Sequence, residues 1–119
     1  MMKTQNMQNV LIKLGENAKE NMQLISEASP HHIWLHLDAF PSGHCIIETS
    51  FPLSSHTEDH NALIQGAGNF CLQHTKFKNL KHIKVSVTYV SNLKKTDKIG
   101  EVEFNSNRKV FRFRLTNKV

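Results

Sequence analysis

The pattern of apolar residues along the 119-residue chain predicts an α+β fold, a mainly antiparallel β-sheet with two helices packed on one face. Three observations carry this expectation. Stretches with strand-like alternation gather toward both ends of the chain. Two stretches with helical spacing lie between them. Nowhere do strand and helix alternate in the regular way that a parallel sheet needs.

Val10, Ile12 and Leu14 alternate with more exposed positions, giving a strand closed by Gly15. A helix follows from about Asn17 to Ala28 and stops before Pro30, because proline drives the residue before it away from helical geometry. "HIWLHLD" is a strand with Ile33, Leu35 and Leu37 on one face and His32, Trp34, His36 and Asp38 on the other. "AFPSG" is a turn by composition, and "HCIIETS" returns as the second arm of a hairpin.

In "SSHTEDHNALIQGAGNFCLQH" the second helix opens with Ser55 and Glu58 at capping-box spacing and sets Leu63, Ala67, Phe70 and Cys71 on one face. Gly66 and Gly68 each cost about 1 kcal/mol there relative to alanine, which points to close approach to a sheet or to a weak helix. "IKVSVTY" alternates Ile83, Val85, Val87 and Tyr89 with Lys84, Ser86 and Thr88, as a half-buried strand does. "SNLKKTDKIG" reads as a loop and "EVEFNSNRKVFRFRL" as a closing hairpin about "NSN". Phe111, Phe113 and Leu115 face away from Arg108, Arg112 and Arg114, and a one-residue slip would bury the arginines.

The length suits one domain, residues 1–119, able to hide roughly two-thirds of its unfolded surface. Apolar content of 39% and charged content of 21% argue against wholesale disorder. No apolar run approaches the roughly 18 to 20 residues that cross a bilayer, and the polar start "MMKTQNMQN" lacks the apolar heart of a secretory signal, so a cytoplasmic protein without membrane contact is expected. Cys45 and Cys71, the two cysteines, read as reduced core thiols. The net charge of +5 hides an asymmetry: residues 31–75 contain no Lys or Arg, while residues 76–119 hold twelve basic residues against Asp97, Glu101 and Glu103. Clustered positive charge points to an anionic partner such as nucleic acid.

"HHIWLHLDAFPSGH", residues 31–44, concentrates four histidines, the single tryptophan and an aspartate. Three chemistries compete for it. His32, His36 and His44 could approach one another as metal ligands, but there is no HExxH helix, paired CxxC or supporting carboxylate, so neither metal nor cofactor is expected. Ser42, Asp38 and a histidine are raw material for acid-base or nucleophilic catalysis, yet "PSGH" is not the GxSxG elbow, and no enzymatic activity is expected. As a binding surface, Trp34 would stack on a base, His36 and His44 would bond phosphates or base edges, and Ser42 with the Gly43 backbone would donate to a phosphate. The bland alternative places Trp34 in the core under a helix with the histidines satisfied locally; the pattern favours the core for Trp34 and leaves both readings open for His36 and His44.

Two spaced motifs bear on the choice. "GENAKENM", Gly15 to Met22, resembles the G-[RK]-N-x-x-[QE]-N signature that opens the NFACT-R domain, the RNA-binding domain of NFACT proteins. "HIWLHLDAFPSGHCII" is similar to that family's D-I-W-F-H-V followed by S-x-H and a strand, and "IKVSVTYVSNLKKTDKIGEVEFNSNRKVFRF" resembles its later segment. The resemblance covers about residues 10–115. Gly15, Asn17 and Asn21 match the first motif, with Glu16 where a basic residue is usual. Trp34 and His36 match the second, with His32 where aspartate is usual. Ser42 and His44 match the serine-histidine pair, and Lys94 and Lys95 the basic pair after the central strand.

The resemblance implies a standalone, non-catalytic RNA-binding module. In full-length NFACT proteins the domain works beside ribosome-bound tRNA in ribosome quality control, a role of translation that does not transfer automatically to a single domain. Structured RNA such as tRNA or rRNA, and the ribosome itself, are therefore the expected partners. Lys84, Lys94, Lys95, Arg108, Arg112 and Arg114 would provide the field, and Asn17, Asn21, Trp34, His36, Ser42 and His44 a more selective edge. With ordinary pKa values near 6.5, the histidines would favour anions at mildly acidic pH. An adaptor docking on the ribosome or an acidic protein is the alternative, followed by a histidine-based metal-dependent enzyme.

Overall fold

The computed structural model describes residues 2–116. The chain runs β1 (Lys3–Met7), β2 (Val10–Leu14), α1 (Ala18–Glu27), β3 (Ile33–Leu37), β4 (Cys45–Ile47), α2 (Glu58–Gln73), β5 (Lys84–Tyr89), β6 (Leu93–Lys95), β7 (Val102–Phe104) and β8 (Phe111–Arg114). One antiparallel sheet has the order β1-β2-β4-β3-β5-β8, and β6 pairs with β7 in a separate ribbon.

The α+β class, the antiparallel sheet and the two helices are as expected, but the helices divide between the two faces of the sheet. Both faces of β3 are apolar enough to need cover. Ile33, Leu35 and Leu37 pack with Ile12, Cys45, Val85 and Val87 beneath Leu63, Ile64, Ala67, Cys71 and Leu72 of α2. Trp34 and Ile46 point the other way and join Leu24 and Ile25 of α1 in a second, smaller core. Leu93, Val102 and Phe104 of the ribbon pack against that second core.

Three local features depart from the sequence reading. β1 is polar and mostly exposed, so it offers no alternation to detect; it is turned onto β2 by Gln8 and Asn9, both with positive φ (51° and 63°), as a two-residue hairpin loop requires. α2 is capped by Thr57, whose side chain accepts from the His60 backbone N–H (3.2 Å), while Ser55 Oγ lies 3.0 Å from His60 Nδ1, so no Ser55–Glu58 box forms. The closing hairpin about "NSN" is also absent: β7 pairs with β6, and β8 crosses to the outer side of β5. Buried Asn92 fixes that crossing, donating to the Ser106 carbonyl (2.9 Å) and accepting from the Ser106 N–H (2.9 Å).

α1 follows the expected span. Asn17 is its N-cap, accepting from the Glu20 N–H (2.9 Å), and Glu20 Oε1 in turn accepts from the Glu16 N–H (3.0 Å). In α2, Gly68 lies directly against Leu115 and Gly66 against Met7, which accounts for two glycines in one helix. Gln65 ties the end of β8 to α2, donating to the Arg114 carbonyl (2.7 Å) and accepting from the Thr116 N–H (2.8 Å). Cys45 and Cys71 are free and buried, and burial pushes the Cys71 thiol up to about 11. Lys118, one of the late basic residues, lies outside the described residues.

Candidate nucleic-acid interface

The register of β3, β5 and β8 assembles a cationic row on the face that α1 partly covers. His36 stands opposite Ser86, and Ser86 opposite Arg112; one step along, Lys84 stands opposite Arg114. Lys84, Arg112 and Arg114 are exposed. Arg112 Nε donates to Asp38 Oδ1 (3.3 Å), and Ser86 Oγ donates to the same oxygen (2.9 Å). Asp38 therefore aims the guanidinium while leaving its two Nη groups without a partner among the described residues. Lys84 and Arg114 make no ion pair among those residues either.

Beside this row lies a groove of about 490 Å³, between β3 and the β6–β7 ribbon, lined by His36, Phe40, His44, Ser86, Val102 and Phe104 among others. Its base is the Trp34–His36–His44 cluster. Trp34 is only 3% exposed; it stacks on His36 (5.7 Å between centroids, 10°) and meets His44 and Phe104 edge-on at 5.5 and 5.6 Å. It is a core residue of this face, and a base stacks on it only if those neighbours move.

His44 is 4% exposed and held from two sides. Its backbone N–H donates to Asn21 Oδ1 (3.0 Å), and its Nδ1 accepts from Trp34 Nε1 (3.2 Å). Burial, with His36 beside it, lowers its pKa to about 4, and burial also lowers that of His36, whose Nδ1 contacts the Leu37 carbonyl (2.7 Å). His44 consequently stays neutral at mildly acidic pH, which removes it from the expected acid-enhanced attraction of anions.

The motif residues interlock. Gly15 N–H donates to the His44 carbonyl (3.0 Å); a Cβ on Gly15 would lie 2.1 Å from Asn21 Oδ1, and one on Gly43 would lie 2.1 Å from the Gly15 carbonyl oxygen. Ser42 Oγ accepts from the Leu37 N–H (3.2 Å) and donates to the Gly43 carbonyl (3.0 Å), closing the β3–β4 turn. Asn17, Asn21, Ser42 and His44 thus have defined positions in the frame that carries the groove.

The other expected cations do not all join the row. Lys94 stands opposite Glu103 on the side of the ribbon turned away from the second core, whereas Lys95 Nζ donates to Ser26 Oγ on α1 (2.9 Å). Arg108 lies in the turn before β8 and lines a different groove. Sequence reasoning missed the role of Asp38 in orienting Arg112 and the ribbon wall formed by Val102 and Phe104. The partners involved are far apart in sequence, so no local signal could have shown them. Among the described residues no group of three His, Cys, Asp or Glu side chains is placed to hold a metal ion.

An antiparallel α+β module with exposed, mostly unpaired cations in register beside a groove is a small domain built to face polyanions. Residues 1–105 match the family described as the NFACT protein RNA binding domain, and the chain belongs to that family. Among solved structures, the C-terminal part of the fibronectin/fibrinogen-binding protein from Streptococcus suis is similar in fold, with a TM-score of 0.73 over 92% of this chain at 19% identity. This chain spans 41% of that one. No curated protein matches the sequence.

Proposed function

We propose that this domain binds RNA without chemistry of its own, holding structured RNA such as tRNA or rRNA through phosphate contacts from Lys84, Arg112 and Arg114. The observation that carries the reading is the register of β5 and β8, which sets these three cations side by side with only Asp38 among them. Membership in an RNA-binding domain family supports RNA as the polyanion. Ser42 is hydrogen-bonded to backbone groups rather than to a histidine, so it is not paired with a base in the way an activated nucleophile is. Action at the ribosome in the cytoplasm belongs to the same proposal and rests on the family resemblance.

Three phosphate contacts predict a log-log salt slope of about −2 to −3. Fluorescence anisotropy with a labelled RNA hairpin measures it. A Lys84→Ala/Arg112→Ala/Arg114→Ala variant with an unchanged circular dichroism spectrum should lose most of that slope. Retention of the wild-type slope by this variant would overturn the assignment.

A further inference from the structure

A second groove, of about 720 Å³, lies on the opposite face of β5, where Tyr89 points away from Ser86. Its volume is within the range of about 300–1,000 Å³ typical of small-molecule sites. Leu53, Tyr89 and Phe111 contribute apolar surface. The Tyr89 ring is fixed because its hydroxyl accepts from the Leu53 N–H (3.0 Å) and donates to the Phe51 carbonyl (2.7 Å).

The rim has the opposite character. Arg108 and Lys109 line it, are exposed, and make no ion pair among the described residues. No carboxylate lines this groove, whereas Glu101 lines the first. Ser54, Ser91 and Ser106 also line it, and their hydroxyls make no hydrogen bond among the described residues, Ser106 being held through its backbone. Asn92, by contrast, has its side chain committed to Thr88 and Ser106, which holds the 105–109 turn in place.

We propose that this groove is a second RNA subsite that takes a single-stranded nucleotide, with its base against Tyr89 and Phe111 and its phosphate at Arg108 and Lys109. The inference rests on the RNA-binding reading and extends it to the other face of the sheet. Aromatic surface beside unpaired cations is the combination that single-stranded nucleic acid recognises, and free hydroxyls provide partners for a ribose 2′-OH. The bound RNA would then contact both sides of edge strand β8, structured on the Arg112 side and unpaired on the Arg108 side.

The test is a pair of amide NMR titrations of the full chain, one with an RNA trinucleotide and one with an RNA hairpin. The trinucleotide should shift Tyr89, Asn105 and Phe111, and Arg108→Ala/Lys109→Ala should weaken it about tenfold while sparing the hairpin's shifts at Lys84, Arg112 and Arg114. A 2′-deoxy trinucleotide should bind more weakly than its RNA counterpart. Trinucleotide shifts confined to the Arg112 row, or unaltered in the double variant, would overturn the second subsite and leave the first reading intact. Failure of both RNAs to shift any resonance would overturn both.

Discussion

Lowering the pH should destabilise this domain through His44, and the size of the effect follows from its surroundings. In the unfolded chain the imidazole takes a proton near 6.5; folded, it does so only at about 4. The unfolded state therefore binds more protons between these values, and stability is lost as pH falls. At 1.36 kcal/mol per pH unit the full difference is worth about 3 kcal/mol once the pH reaches 4, and about 2 kcal/mol is already lost by pH 5. The main physical cause is burial of the imidazole, with His36 beside it, and protonating Nδ1 would also set its N–H against the Trp34 N–H that it now accepts from. Urea unfolding of wild type and His44→Asn between pH 7 and pH 5 measures the contribution. Asparagine keeps an acceptor for Trp34 but does not titrate, so its curve should start lower from lost packing and fall less steeply. His36, also lowered by burial, adds a slope of the same sign to both proteins, so the His44 contribution is the difference between them together with whatever His36 gains from losing its His44 neighbour. Parallel curves for the two proteins would refute the reasoning.

Other consequences follow from the same geometry. Asn21→Ala should cost about 1–3 kcal/mol in chemical denaturation, because the buried His44 N–H loses its acceptor. Asp38→Asn removes the carboxylate beside the cationic row, and anisotropy at low salt should show RNA binding tightened by about two- to fivefold, with the gain shrinking as salt rises. Lys94→Ala should change RNA affinity much less than Lys84→Ala, because Lys94 stands on the far side of the ribbon opposite Glu103; equal losses would place RNA across the ribbon instead.

Several elements were readable from local pattern alone. β3 and β5 announce themselves by period-2 alternation, and α1 by Asn17 at its start and Pro30 after its end, because these signals arise from neighbours a few residues apart. β1 escaped because a polar edge strand has no buried face to impose a pattern. The apparent hairpin at "NSN" misled because turn composition records a change of direction and not which strands then pair; β8 finds its partner in β5 instead. Motif residues were visible as a set and a core place under a helix was the favoured reading of Trp34, as found, but that Asn21 supports His44 could be seen only once α1 lay across the sheet.

By itself, the sequence determined the α+β composition, the positions of most strands and both helices, and the concentration of positive charge in the last third of the chain. Those properties depend on side-chain periodicity and composition, which are local. The tertiary structure alone decided that the helices occupy opposite faces, that Arg112 is aimed by Asp38, and that Arg108 parts company with Arg112 and Arg114. Each of these depends on contacts between segments distant in sequence, up to 74 residues apart for Arg112 and Asp38, which no short window contains.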